Sequence, residues 1–310
     1  GNVTSSPSVD FAFKTSPQNT TWSDMLAIWK IADDIDVFQS GWTFDHFYPI
    51  FSDSSGPCLE GWTTLTALAQ ATERLRVGVL VTGIHYRHPA VLANMASALD
   101  IISGGRLELG IGAGWNEEES GAYGIELGTI KERFDRFEEA CEVLKGLLSQ
   151  ESTTFDGKFY QLKDARNEPK GPQQPHPPFC IGGSGEKKTI PLAARHFDHL
   201  NVIAGFDELA RKIDVVKQKC EEIDRDPATL ETSMLIGALV GEGLSLDMVP
   251  DDFKQRMVVG SPEQIAEQIK AKVLDAGVDG VILFVPTQTV GYQPGQITAL
   301  GEALRPLVAG

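Results

Sequence analysis

The chain has 310 residues, 42% of them hydrophobic, with 27 basic against 43 acidic residues and a net charge of −16. That balance speaks against a nucleic-acid binder, which needs a basic footprint, and leaves room for a locally basic pocket that takes a small anion. No run of about 18 apolar residues occurs, so a membrane span is not expected.

Residues 1–8 are small and polar and lack the basic-then-apolar order of a secretory signal, so they read as a frayed end or a cloning remnant. A cytoplasmic location follows as the expectation. The four cysteines, Cys58, Cys141, Cys180 and Cys220, are widely spaced and contain no Cys-x-x-Cys, so free thiols are expected.

In chain order, strand-like and helix-like segments alternate. Residues 9–13 are a short apolar run, a first strand. Residues 22–32 place Met25, Ile28, Trp29 and Ala32 at helical spacing. Residues 38–44 return to strand composition, and Leu65, Leu68, Ala69 and Thr72 share a helical face. Residues 77–81 are β-branched and apolar, as suits a strand buried on both faces. Pro89 suits a helix's first position, Val91, Leu92, Met95, Leu99 and Ile102 form its stripe, and Gly104 ends it. Residues 107–111 are a fourth strand.

Further on, Thr129 and Glu132 have capping-box spacing before Phe134, Phe137, Cys141, Leu144 and Leu148 on one face. Residues 155–162, turning at Asp156-Gly157, predict a small hairpin. Strands are expected at 179–181, 200–203, 233–240 and 281–285, and helices at 206–223, 262–276 and 296–307. Eight strands alternating with helices predict a parallel α/β sheet. A closed (β/α)8 TIM barrel spanning residues 1–310 as one domain is preferred, because no Gly-x-Gly-x-x-Gly turn follows the first strand as a doubly wound dinucleotide fold would require.

Barrel chemistry sits where strands end. Four segments qualify. In Gly41-Trp42-Thr43-Phe44-Asp45-His46-Phe47, alternation puts Trp42, Phe44 and His46 on one face. An imidazole there can be a general acid or a packed structural histidine. In the second, Thr82 and Gly83 permit close backbone approach, and His85 and His88 form a conceivable metal pair. In the third, Gly110, Gly112 and Gly114 alternate ahead of Trp115 and Asn116, in a plain turn or a ligand cradle. In the fourth, Gly182-Gly183-Ser184-Gly185 runs toward a helix start suited to a phosphate, with Lys187 and Lys188 in its first turn. Pro191 should kink that helix or delay its start.

Taken together, these motifs and residues 13–18 and 88–107 resemble the luciferase-like oxidoreductase superfamily, particularly its coenzyme F420-dependent branch. The resemblance implies a luciferase-like TIM barrel with insertions in its loops and a deazaflavin ring in the mouth. It would place His46 at the reactive carbon as proton donor or hydrogen-bond partner, and Asp45 as support. Thr82 and Gly83 would lie at a backbone bulge under the ring, where relatives hold a cis peptide. Ala113, Gly114 and Asn116 would line the ring's other edge. Gly183, Ser184 and Gly185 would hold the phosphate, with Lys187 and Lys188 near the acidic tail.

Gln18, Trp42, Phe44, Trp115 and Tyr86 are candidates for the substrate side. Sugar-phosphate dehydrogenases of this branch carry glutamates at the positions of Gln18 and Trp115, which disfavours that substrate. Hydride transfer to or from an organic substrate is the implied reaction, with a separate enzyme recycling the deazaflavin and a homodimer by analogy. The competing readings are an FMN-dependent monooxygenase on the same fold, a metal-dependent hydrolase built on the six histidines, and a cofactor-binding protein without catalysis.

Overall fold

The computed structural model describes residues 9–284 and 295–308. Its strands are β1 (Asp10–Lys14), β2 (Phe38–Thr43), β3 (Arg76–Val79), β4 (Thr82–Gly83), β5 (Leu107–Gly112), β6 (Thr153–Asp156), β7 (Gln161–Ala165), β8 (Phe179–Gly183), β9 (His199–Val202), β10 (Glu231–Val240), β11 (Met257–Gly260) and β12 (Gly280–Phe284). Its helices are α1 (Trp22–Asp33), α2 (Gly61–Ala71), α3 (Pro89–Ile102), α4 (Glu117–Ala122), α5 (Ile130–Ser149), α6 (Thr189–His196), α7 (Phe206–Glu221), α8 (Pro262–Lys272) and α9 (Gly295–Val308).

Parallel pairing runs β10-β12-β1-β2-β3-β5-β8-β9, and β9 returns to β10, so eight strands close into a barrel. The expected (β/α)8 architecture is the one found. The short β4 pairs with the upper end of β5, and β11 extends the upper edge of β10. β6 and β7 form the antiparallel hairpin anticipated at Asp156-Gly157. The four cysteines are free thiols. No helix among the described residues is long and apolar enough to cross a membrane.

Local signals place most element starts. Thr129 and Ser261 head complete capping boxes, and Pro89 and Pro262 stand at helix N-termini. The α3 stripe sits differently from the expected one. Leu92, Ala93, Ala96 and Leu99 face the core, whereas Val91 and Ile102 are exposed. The β-rich segments 38–44 and 77–81 end sooner than expected, because the chain leaves the barrel wall to build its rim. The expected strand at 281–285 runs one residue beyond the described part of β12. Sequence reading passed over β11, whose four apolar residues follow an irregular segment.

Pro191 did delay its helix. α6 begins at Thr189, so Pro191 lies within the first turn, where a missing N–H does no harm. Lys187 and Lys188 therefore precede the helix rather than opening it.

Inside the barrel, Trp42 occupies the axis. A Cβ at Gly78 would come within 2.5 Å of its indole, so the glycine makes room for the ring. With Ala12, Leu80, Cys180, Leu235 and Ile282 it forms an apolar plug. Above the plug lies the mouth; below it lies a small polar floor.

Candidate functional site

A cleft of about 390 Å³ opens at the C-terminal ends of the strands. That is within the size range of small-molecule sites. Leu80, Val81 and Gly83 form one wall, Gly112, Ala113 and Gly114 the next, and Ile181 and Gly182 a third. Ile203 and Leu235 close the bed, and Ile50, Phe51 and Trp115 stand at the rim.

His46 reaches this cleft from the β2 end. Its Nδ1 lies 2.5 Å from Glu119 Oε1, and the second oxygen of Glu119 accepts from the Phe47 backbone N–H at 2.9 Å. Glu119 is fully buried in α4, whose N-cap is Asn116. An ionised carboxylate only accepts, so Nδ1 carries the proton and the ring presents Nε2 elsewhere. Phe44 and Trp115 meet the imidazole edge-on, at 4.9 and 5.4 Å between centroids. The histidine is thus held on three sides.

Asp45 is buried and spoken for. Arg87 grips both its oxygens, at 2.8 and 2.9 Å, and the Gly83 backbone N–H donates to Oδ2 at 2.8 Å. Such a planar fork ties the β2 loop to the β4 loop. Asp45 therefore shapes the wall around His46.

The alternating glycines have a reason within the protein itself. A Cβ at Gly110 would strike the Val79 carbonyl, and one at Gly112 would sit 2.7 Å from Val81 Cγ2. Gly114 has φ +89° and lies against His85. Beside these glycines runs the Leu80–Val81 cis peptide. The unusual peptide thus precedes Thr82, the residue expected to mark it. Thr82 turns its hydroxyl into the core, where Trp62 Nε1 donates to it at 3.1 Å.

His85 and His88 do not form a pair. His88 caps α3, accepting from the Ala90 N–H. The Ser120 hydroxyl donates to the Asn116 carbonyl, so His85 donates to it through Nε2. Burial drives the His85 pKa down to about 4, leaving it neutral near pH 7. Tyr86 packs against His85, the ring planes tilted by 38°, and lines the cleft with its hydroxyl buried.

Several other anticipated contacts take different roles. Asn116 caps α4 by accepting from the Glu119 N–H at 3.1 Å, so it lies behind the wall rather than on it. The spacing Asn116 to Glu119 is the capping signal that could have revealed this. Gln18 exchanges two hydrogen bonds with the Ile50 backbone and so props the rim loop. Trp42 is 1% exposed beneath the floor of the cleft, donating to Ser40, and does not reach a substrate. Phe44 is buried behind His46. Trp115, by contrast, is 51% exposed and stacks on Phe51 at the rim.

The loop Gly183-Ser184-Gly185 joins β8 to α6 beside Gly182 and Thr189 of the cleft wall. Gly183 has φ +137°, a conformation that favours glycine. No side chain caps the N-terminus of α6, but the Ile190 N–H is taken by the Gly185 carbonyl at 2.9 Å and Pro191 has no N–H, so the amides left for an anion are those of Thr189 and the preceding loop. Glu186 is held away by Arg211 and Lys212, at 2.9 and 3.0 Å. Lys187 is exposed and outside the cleft lining, and Lys188 lies over the Phe134 ring.

Two cleft cations escaped sequence reading, Lys14 at the end of β1 and Arg256 just before β11. Burial, and then the charge of Arg256, push the Lys14 pKa down to about 8. The apolar run 9–13 hid Lys14, because β1 is shifted by one residue.

Known proteins resemble this chain in sequence and in fold. An F420-dependent glucose-6-phosphate dehydrogenase of Amycolatopsis mediterranei is 30% identical over 173 residues, 55% of this chain and 51% of that one. An F420-dependent hydroxymycolic acid dehydrogenase of Mycobacterium tuberculosis is 30% identical over 230 residues, 73% of this chain and 61% of its own length. The chain thus spans about half to three fifths of the curated relatives it matches. Among solved structures, an F420-dependent secondary alcohol dehydrogenase in complex with an F420-acetone adduct superposes with a TM-score of 0.83 at 22% identity, covering 97% of this chain and 99% of that one. A long-chain alkane monooxygenase superposes with a TM-score of 0.78 at 16% identity, covering 97% and 92%. At such identities these structures speak to the fold. The family model described as luciferase-like monooxygenase matches residues 8–246, and the chain belongs to that family.

Proposed function

We propose that this protein is an oxidoreductase that binds coenzyme F420 in the barrel mouth and exchanges a hydride with a small organic substrate. The observation that carries the reading is His46, fixed through Nδ1 by the buried Glu119 and delivered to an apolar, glycine-walled cleft. The named F420-dependent relatives support the choice of cofactor.

The residues fit a flat, phosphate-bearing group. A side chain at Gly112 or Gly114 would collide with the walls, so the backbone lies open beside the bed. Leu80, Val81, Ile181 and Leu235 offer apolar surface for a ring. The Gly183–Gly185 loop, together with the Thr189 end of α6, suits a phosphate. When bound, the deazaflavin supplies the hydride chemistry.

The chain's own residues orient and protonate. Glu119 keeps the His46 proton on Nδ1 and fixes the ring, which leaves Nε2 free to exchange a proton in the cleft. The Asp45–Arg87 fork keeps the β2 and β4 loops in register around the ring edge. Trp115 and Phe51 shield the rim from water. Gln18 and Trp115 put no carboxylate beside the substrate, which argues against a sugar-phosphate substrate that depends on acids there. A separate F420-dependent enzyme would regenerate the cofactor.

Titration of the purified protein with oxidised F420 and, separately, with FMN, followed by fluorescence, tests the reading. Micromolar or tighter F420 binding with negligible FMN binding is expected. Preference for FMN would move the protein to monooxygenase chemistry.

A further inference from the structure

The mouth carries two cations that no acid among the described residues balances. Lys14 and Arg256 both line the cleft. Among the described residues, no acid acts on either, and the only charge felt by Lys14 is that of Arg256. The acids of the mouth are committed elsewhere, Asp45 to Arg87 and Glu119 to His46. Residues 1–8, 285–294 and 309–310 contain no Asp or Glu, so no side chain there can supply the missing charge.

Partly burying two like charges without a counterion is unfavourable. A chain with a net charge of −16 has acids in surplus, yet places none here. The arrangement makes sense when an anion arrives from outside. That anion is not readily the one at Gly183–Gly185. In the barrel, β1 and β8 stand opposite each other, with β2, β3 and β5 between them on one side and β12, β10 and β9 on the other. Lys14 therefore faces the loop across the mouth.

We propose that Lys14 and Arg256 form a second anion subsite, which receives the acidic group of an organic substrate whose apolar body lies against Leu235, Ile203 and the Phe51 rim. The guanidinium can take a carboxylate or a phosphate ester in a fork, with the ammonium as a point charge beside it. This inference rests on the F420 reading for the identity of the second ligand as substrate.

The test uses benzoate, its neutral counterpart benzamide, and inorganic phosphate, on the protein alone and loaded with oxidised F420. Lys14 acetylation by acetic anhydride at pH 8 is followed by mass spectrometry, and binding by calorimetry. Benzoate should protect Lys14 where benzamide does not. Lys14→Gln and Arg256→Gln should each weaken benzoate binding about tenfold, the loss of one charge-assisted contact. Their F420 affinity should stay near wild type and their melting temperature should hold or rise, since a buried charge without a counterion is removed, and Lys14→Arg should retain benzoate. Protection by phosphate alone would still assign the subsite, with a phosphate ester as substrate. Equal protection by benzamide, or benzoate binding unchanged in both variants, would overturn the proposal. So would a tenfold loss of F420 affinity in the variants, which would give the cations to the cofactor. If wild-type protein binds no F420 but benzoate still protects Lys14, the cofactor reading fails and the anion subsite stands.

Discussion

The two ends of the barrel both bury ionisable side chains, and they do so with opposite signs left over. At the mouth the acids are paired, Asp45 with Arg87 and Glu119 with His46, while Lys14 and Arg256 have no acidic partner among the described residues. At the floor, below Trp42, Arg76 pairs with Glu108 at 2.7 Å, while Asp10 and Glu231 are left with each other. Burial, then the Glu231 charge, raises the Asp10 pKa to about 7, and Asp10 Oδ1 has no hydrogen-bond partner among the described residues. Burial lowers the pKa of His199, which bonds to Ser233 at 2.6 Å. The floor leaves only about 20 Å³ of space, room for a water, against about 390 Å³ at the mouth. A perturbed pKa alone would have pointed to the wrong end. Space, access and the spare charge separate a binding site from a buried polar layer.

The comparison can be broken most sharply at His46. His46→Ala should lower kcat by about two to four orders of magnitude, the usual share of a general acid or base. F420 affinity should change little, so turnover and titration are measured together. If turnover survives, the mouth has been misread. Next in size is Asp45→Asn, which leaves Arg87 buried beside a neutral partner. A loss of about 3–5 kcal/mol is expected from breaking such a pair, read by denaturant unfolding. An unchanged midpoint would mean that the fork does not hold the rim.

Glu119→Gln should cost activity about 10–100-fold, as removal of a supporting partner commonly does. Its distinguishing mark is a fall in kcat with F420 affinity near wild type, because the carboxylate orients His46 without lining the cleft. A purely structural role would weaken F420 binding and lower the melting temperature as well.

The smallest effects belong to the floor. The raised Asp10 pKa means that the folded protein holds a proton which the unfolded chain, at 3.8, releases. Stability from this group is therefore present below 3.8 and is lost as pH rises through about 7. Asp10→Asn should flatten the melting temperature over that window and raise it at pH 8. Lys14 at the mouth works in reverse. Its lowered pKa makes stability rise between about 8 and 10.5, as only the unfolded chain keeps the proton. Lys14→Met should remove that rise in thermal scans.

Much of this molecule was legible before any coordinates. The strand–helix alternation follows from apolar periods of two and 3.6, which are properties of short windows. Capping at Thr129 and Ser261, the helix start at Pro89 and the left-handed Gly104 are equally local. His46 was legible as a strand-end imidazole. The tertiary structure alone decided what surrounds it. Glu119 lies 73 residues from His46 in sequence, Arg87 lies 42 from Asp45, and Arg256, far along the chain, lines the same cleft as Lys14. It also turned Trp42, Thr82 and Asn116 from expected ligand contacts into a plug, a core hydrogen bond and a cap. The physical reason is one of range. Backbone preference and side-chain periodicity act over a few residues, whereas barrel closure decides which distant charges share a low-dielectric space and which of them is left without a partner.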